Sequence, residues 1–292
     1  MKNTDMIIIT YAPEIELLTK TIQSMIEQVR KIYIVDNTPM RTDSLKIFQD
    51  DNKIEIIYLD DNMGIAYAQN IGIKKSLENS SDFIVLSDQD TIYPENYVKD
   101  MLKIEKSEYD KVIAMTPLFK DTVGNNDNEG FILKGFKKIF PKNGLYEVFQ
   151  TIASGKILNT KYLNDVGLMD EKLFIDWVDL EWCWRARKKG YKIIGNADVI
   201  ITHQLGDEAK NLGFREVNLR SPIRHYYVTR NAFYLALNGK SLDKLYKITL
   251  FFKAFRYIIG FPLLSKPHLK HLKYVLLGFW HGITGRLGRL ND

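Results

Sequence analysis

The chain has 292 residues, 45 % of them hydrophobic and 26 % charged, a globular balance that argues against disorder and predicts one large domain or a domain with an appendage. Its single cysteine, Cys183, excludes an intrachain disulfide framework and a cysteine-based zinc site, and suits a reducing cytosol. The net charge of +5 is divided: residues 240–292 carry ten Lys/Arg against two acids, +8, which leaves −3 on residues 1–239.

The apolar run Met6–Thr10 is too short for a signal-peptide core and reads as a strand buried on both faces, with Asp5 in front of it. Pro13–Val29 has helical spacing, with Ile15, Leu18, Ile22, Met25, Ile26 and Val29 on one stripe. Lys31–Val35, Ile54–Leu59 and Asp82–Ser87 follow as strands. Between and after them come helices over Thr42–Asp50, Gly64–Leu77 and Pro94–Ser107, then a strand over Val112–Pro117. Gly124–Gly130 reads as a loop, and the lysine-rich Phe131–Phe140 as a hairpin over a site. Lys161–Val166 is a helix closed by Gly167, and Val178–Lys189 one closed by Gly190. Lys192–Ile194 and Val199–Thr202 read as two strands. The alternation predicts an α/β fold with a mostly parallel sheet, whose ligands bind beyond the carboxyl ends of the strands. Thr10-Tyr11, Asp36-Asn37 and Asp88-Gln89-Asp90 all follow strand ends, so the fold rule puts them on one rim; for Asp36 alone, turn chemistry explains the residue equally well.

Two constellations carry chemistry. The carboxylates of Asp88 and Asp90, at i and i+2 on a loop, are able to converge on one hard cation, and Mg2+ or Mn2+ held so needs few protein ligands when a diphosphate supplies others. Phe174–Arg185 gathers three acids and three tryptophans in twelve residues. Asp179 near a helix N-terminus is suited to accept a proton from a substrate hydroxyl. The bland alternative is N-capping by Asp176 or Asp179, and Glu181 has a simple i+4 partner in Arg185. Trp177 is the best candidate for a sugar platform. His203, at another strand end, would complete the two aspartates as a third metal ligand, and Gly206, Arg215, Arg220, Arg224 and Arg230 form a basic segment suited to a diphosphate clamp. Asn62-Met63-Gly64 and Asn70 flank a helix start without making a dinucleotide fingerprint.

Taken in order, Thr10-Tyr11, Ile34–Thr38, Asn62-Met63-Gly64, Asn70, Asp88-Gln89-Asp90 with Pro94, Ser154-Gly155, Trp177–Glu181 with Arg185, and His203 resemble the family 2 glycosyltransferases of GT-A fold. The resemblance covers about residues 6–235, and Phe174–Arg185, His203–Asp207 and Arg224–Asn231 look most like bacterial rhamnosyltransferases, with galactofuranosyltransferases similar around Trp177 and Asp179. It implies a Rossmann-like mixed sheet flanked by helices, a nucleotide-sugar donor with dTDP-L-rhamnose favoured, and inversion at the transferred sugar. It also implies that Asp36 reads the base with Thr10 and Tyr11. Asn62, Gly64, Asn70, Gln89, Ser154, Gly155, Trp177, Arg224 and Arg230 would border the donor. Asp88 would serve ribose and metal, Asp90 and His203 the metal, and Asp179 would be the general base. Many relatives carry Glu-Asp where this chain has Val178-Asp179, so a neighbouring charge is missing here. A hexosyltransferase and a non-catalytic saccharide-binding scaffold are the alternatives.

The tail interleaves Leu245, Ile248, Phe251, Phe252, Phe255, Ile258 and Ile259 with Lys244, Lys247, Lys253 and Arg256, and no 18-residue uncharged apolar stretch occurs anywhere. This predicts residues 1–239 as the catalytic domain and 240–292 as basic amphipathic helices. Those helices lie either on an anionic inner leaflet, where a lipid-linked saccharide acceptor is presented, or against the body or a second subunit. On this division, truncation after Gly239 leaves the donor site intact. Aromatics at helical spacing among Leu and Ile do not suit nucleic acid.

Overall fold

A computed structural model describes residues 2–41, 43–106, 108–121, 128–134, 137–203, 209–211, 216–218 and 220–290. The expected alternation is present as β1 (Thr4–Thr10), α1 (Ile15–Met25), β2 (Lys31–Asp36), β3 (Ile54–Tyr58), α2 (Ile65–Glu78) and β4 (Phe83–Asp88). A two-residue β5 (Thr91–Ile92) and α3 (Tyr97–Leu102) lead into β6 (Val112–Asp121). Then come β7 (Asn128–Glu129), the hairpin of β8 (Phe131–Lys134) and β9 (Lys137–Ile139), β10 (Leu145–Glu147), β11 (Lys156–Asn159), α4 (Leu163–Val166) and α5 (Val178–Lys188). β12 (Lys192–His203) completes the sheet, while β13 (Ala209–Asn211) and β14 (Glu216–Asn218) form a separate pair. Helices α6 (Pro222–Leu237), α7 (Lys244–Leu264) and α8 (His268–Thr284) end the chain.

The main sheet runs β10-β12-β6-β11-β4-β1-β2-β3, with β5 added on β12 and β7 on β6. Pairs among β1, β2, β3 and β4 are parallel, as is β6 with β12, whereas β11 is antiparallel to both β4 and β6. Successive strand side chains alternate in direction, so both faces need apolar cover. Met6, Ile8, Ile32, Ile34 and Val85 face one core with α1 and α3. Ile7, Tyr33, Val35, Ile84 and Leu86 face the other with α2, α5 and α6. This two-sided burial is why the strands read as continuous apolar runs.

Several boundaries differ from the sequence reading for local reasons. β1 begins at Thr4, so Asp5 lies inside the strand, fully buried; its carboxylate accepts from Arg30 Nε at 2.9 Å and from Ser76 Oγ at 2.9 Å. The helix expected over Thr42–Asp50 is a 3-10 turn over Asp43–Phe48, and α3 is shorter than expected and continues as a 3-10 turn to Lys106. The two strands expected between 192 and 202 are one strand, interrupted by an irregularity between Asn196 and Ile200. The hairpin at 131–139 exists, but its described contacts are with Tyr146, Gly195 and Gln150 at the sheet edge, not with the strand-end loops. Most of Gly124–Gly130 lies outside the described residues.

The three C-terminal helices pack on one another around α6. Glycines make this possible: a Cβ on Gly278 would stand 2.6 Å from Tyr226 O, and one on Gly282 would stand 2.6 Å from Arg230 O. Phe233 on α6 meets the rings of Phe251 and Phe255 on α7 and Phe279 on α8 at 4.8–5.5 Å. Position 239 therefore falls inside one helical group. Beyond α8 the chain returns to the body, where Gly288 N donates to Lys172 O at 2.7 Å and Arg289 pairs with Asp61. Truncation after Gly239 would remove these two contacts together with the helices.

His225 on α6 is fully buried, stacked on Phe261 with ring centroids 3.9 Å apart, and its Nδ1 lies 2.8 Å from His271 Nδ1. Burial, then the neighbouring His271, pulls His225 down to about 4. A histidine depressed in the folded state keeps its full contribution above its unfolded value and loses it as pH falls. Between about pH 6.5 and 5 this predicts a loss of about 2 kcal/mol of stability. Thermal melts across that window should show a steep decline in the parent chain and a flatter one in His225→Gln; equal slopes would count against the assignment.

Candidate active site

The strand register assembles the rim. Thr10 stands opposite Asp36 and Ile9 opposite Asp88, so the ends of β1, β2 and β4 lie side by side. Asp36 is buried, and its Oδ1 accepts from Thr10 Oγ1 at 3.0 Å, Thr38 Oγ1 at 2.6 Å and Thr38 N at 3.3 Å. Among the described residues nothing donates to Oδ2. Tyr11 is half-exposed beside it, and its backbone N–H is held by Gln89 Oε1 at 2.8 Å. Asn37 and Asn62 close the next loop: Asn37 Nδ2 donates to Asn62 Oδ1 at 3.0 Å, and Gly64 N donates to the same oxygen at 3.1 Å. Gly64 has φ +88°, and a Cβ there would stand 2.6 Å from the Phe174 ring, so only glycine lets the two loops meet.

Asp88, Gln89 and Asp90 occupy the end of β4 and the turn into β5, all partly exposed. His203 closes β12, and its backbone pairs with Thr91, the residue after Asp90. Its side chain lies outside the described residues, as do Gly206 and Arg215. Among the described residues no group of three His, Cys, Asp or Glu gathers to hold a metal. The carboxylates of Asp88 and Asp90 are hard oxygen donors of the kind that Mg2+ or Mn2+ takes.

The second wall is the segment before α5. Phe174, Asp176 and Trp177 have φ of +65°, +63° and +66°. Left-handed conformations at non-glycine residues cost of order 1–3 kcal/mol each and persist only where the surroundings over-determine them. Here α6 does so. Asn231, fully buried, aims its Nδ2 at the carbonyls of Leu173, Ile175 and Asp176 at 2.8–3.0 Å. Trp177 Nε1 donates to Val228 O at 3.0 Å. Arg224 grips the Asp176 carboxylate with Nε at 3.0 Å and Nη2 at 2.9 Å, and Arg220 joins it. The N-cap of α5 is Trp177 with no side-chain cap, so neither Asp176 nor Asp179 serves as one. Asp179 lies in the first turn of α5 with 22 % of its side chain exposed, and its Oδ1 stands 3.8 Å from Lys156 Nζ. Lys156 opens β11 opposite Leu86, two residues before Asp88, so Asp179 is carried to the same end of β4.

Several residues expected at the donor are committed elsewhere. Asn70 is buried and clamps Met169: Nδ2 donates to Met169 O at 3.0 Å and Oδ1 accepts from Met169 N at 2.9 Å. Arg230 is fully buried and holds the Leu173 and Gly288 carbonyls. Ser154 is fully buried with its hydroxyl 2.6 Å from Thr91 Oγ1, and Gly155 fits where a Cβ would meet Ile201 Cδ1 at 2.5 Å. In the free chain these four brace the rim. Arg224 is engaged by Asp176. Trp177 is half-buried, under Lys253 Nζ at 5.4 Å from its ring. Glu181 pairs with Arg185 as expected, Nε to Oε1 at 3.1 Å. Sequence reasoning missed Asn231 as a brace and missed Lys156 altogether. The signal for Lys156 was a lysine opening an otherwise apolar strand.

Residues 5–167 match the glycosyl transferase family 2. The chain belongs to that family. It is 31 % identical over 294 residues to the dTDP-rhamnosyl transferase RfbF of Shigella flexneri, covering 97 % of this chain and 96 % of that protein. It is 24 % identical to the low-salt glycan biosynthesis hexosyltransferase Agl10 of Haloferax volcanii, over 99 % of this chain and 94 % of that one. Among solved structures it resembles S. aureus TarS 1–349 in complex with UDP-GlcNAc, with a TM-score of 0.59 and 19 % identity over 97 % of this chain and 82 % of that one. It also resembles GalNAc-T7 with UDP, GalNAc and Mn2+, with a TM-score of 0.61 and 15 % identity; it matches over 90 % of its own length and spans 58 % of that enzyme. The fold is that of the GT-A glycosyltransferases, and the chain is a glycosyltransferase.

Proposed function

We propose that the chain is a metal-dependent inverting rhamnosyltransferase that takes L-rhamnose from dTDP-L-rhamnose and delivers it to a saccharide acceptor, in bacterial surface polysaccharide synthesis. The observation that carries the chemistry is Asp179, partly exposed at the start of α5 and tied through Lys156 to the strand that ends at Asp88. Near-full-length similarity to a dTDP-rhamnosyl transferase supports the choice of donor, and the Haloferax relative supports a hexosyl donor as the second reading. Asp36 offers Oδ2 to the N–H of a pyrimidine, with Tyr11 beside it. Asp88 and Asp90, with His203, would hold Mg2+ or Mn2+, which when bound neutralises the charge of the leaving diphosphate. Asp179 takes the proton of an acceptor hydroxyl as that oxygen bonds to the anomeric carbon. The bond from that carbon to the diphosphate breaks on the opposite face, and one displacement inverts the configuration.

Positioned base catalysis contributes about 10²–10⁴-fold, so Asp179→Asn should lower transfer by that factor while dTDP binding by calorimetry is retained. Near-native turnover would sink the base assignment. Asp90→Ala should abolish the recovery of activity when Mn2+ or Mg2+ is returned to chelated enzyme; parent-like recovery would remove Asp90 from the metal set.

The tail supports docking on the cytoplasmic face of a membrane, beside a lipid-linked acceptor. Among the described residues no helix is long and apolar enough to cross a membrane. Instead α7 leaves Leu245, Ile248, Phe252, Phe255, Ile259 and Leu263 exposed on one stripe, and α8 leaves Leu269, Leu272, Leu276, Trp280 and Ile283 exposed. Lysines 244, 247, 270 and 273 lie among them. Apolar insertion combined with basic charge selects anionic lipid. Flotation with phosphatidylglycerol-containing vesicles should fall roughly tenfold for the combined variant Phe252→Ser, Ile259→Ser and Leu263→Ser, with melting temperature unchanged. Undiminished flotation would leave these residues to a protein partner.

A further inference from the structure

Lys156 is fully buried, yet it carries an ammonium group. Its Nζ has no hydrogen-bond partner among the described residues, and neither has Asp179 Oδ1, itself buried. The two atoms face each other at 3.8 Å. The only other described support for the cation is the Trp182 ring, whose centroid lies 5.2 Å from Nζ. A buried charge that loses its partner is strongly destabilising, so each member of such a pair depends on the other.

We propose that Lys156 is the positioning residue of the reaction: a buried cation that fixes the Asp179 carboxylate and leaves Oδ2 as its proton-accepting oxygen. The proposal rests on the reading of Asp179 as base, and it adds what holds that base in place. Asp179 sits in the first turn of a helix whose approach, Phe174 to Trp177, is strained, and no side chain caps that helix. An anchor inside the sheet is therefore what aims the carboxylate. Lys156 supplies it from β11, a strand paired on both sides, by β4 and β6. An oxygen committed to Lys156 is withdrawn from the acceptor, so the acceptor hydroxyl meets a single oxygen in one orientation. The transferred proton comes from the acceptor and resides on Asp179.

The test is a double-mutant cycle on the full chain with two readouts, melting temperature and steady-state transfer kinetics. Asp179→Asn strands the Lys156 cation and should lower the melting temperature by several degrees, whereas Lys156→Met with Asp179→Asn removes both charges and should recover most of that loss. Additive melting shifts would overturn the pairing. Lys156→Met alone should lower kcat by roughly tenfold or more, with KM for the donor and dTDP affinity within about twofold of the parent. A folded Lys156→Met enzyme with parent-like kcat would overturn the positioning role, and so would a loss expressed only in KM. If Lys156→Met does not fold, Lys156→Gln carries the same readings. The two assignments fail separately: if Asp179→Asn retains transfer, the base reading falls, while the melting cycle still reports the pair.

Discussion

The fully buried amide of Asn231 is the point on which the site depends. One side-chain nitrogen on α6 faces three carbonyl acceptors, those of Leu173, Ile175 and Asp176, in a segment that three left-handed residues would otherwise drive away from this path. A donor shared among buried carbonyls is strong because there is no water to compete with it, and its loss would leave those carbonyls unsatisfied. The direction of α5, and with it the position of Asp179, follows from this clamp. Arg230, the residue before Asn231, extends the same grip to the Leu173 carbonyl and to Gly288 near the chain end. The helix that braces the segment before Asp179 is also the helix on which α7 and α8 pack, so Asp179 and the tail share one mechanical foundation.

What the sequence shows well follows from periodicity. Strands buried on both faces announce themselves as apolar runs, and polar residues after three of them mark the rim; the register of β1, β2 and β4 places Thr10, Asp36 and Asp88 together as the fold rule requires. What it shows poorly follows from long-range partners. Asn70, Ser154, Gly155 and Arg230 occur in motifs that resemble donor-binding segments, yet their polar atoms are taken by Met169, Thr91, Leu86 and Leu173. A motif records that a position is constrained. It does not record whether the constraint comes from a ligand or from a neighbouring loop. Asp5 and Lys156 illustrate the converse. Each is a charge at the margin of an apolar strand, which a reading by periodicity sets outside the strand, and each is drawn inside because a partner elsewhere, Arg30 or Asp179, neutralises it.

The same logic refines the charge division. The −3 of residues 1–239 and the +8 of residues 240–292 suggested two separable units. In the folded chain the basic segment has an inner and an outer side. Leu250, Ala254 and Val275 are buried, Tyr246 lies against Phe149 and Lys253 over Trp177, while the exposed apolar stripes and most of the lysines lie outward. A helix that lay on a membrane without body contacts would need an apolar face on one side only. These helices carry apolar residues toward the body and toward the outside, which is the composition of a layer between two hydrophobic surroundings.

Lys253 lies over Trp177 from α7, and Trp177 immediately precedes the helix of Asp179. The wall beside Asp179 is therefore built partly from the basic helices themselves. A saccharide carried on a lipid, held where those helices meet the surface, would present its sugar close to the base without leaving the membrane. Binding energy from the lipid would then be spent on orienting the hydroxyl toward Asp179, and remote binding of this kind raises kcat as well as affinity. On the proposed reading the inner and outer sides of α7 would act on one substrate at its two ends, through a tail fastened to the catalytic body at α6, Trp177 and Asp61.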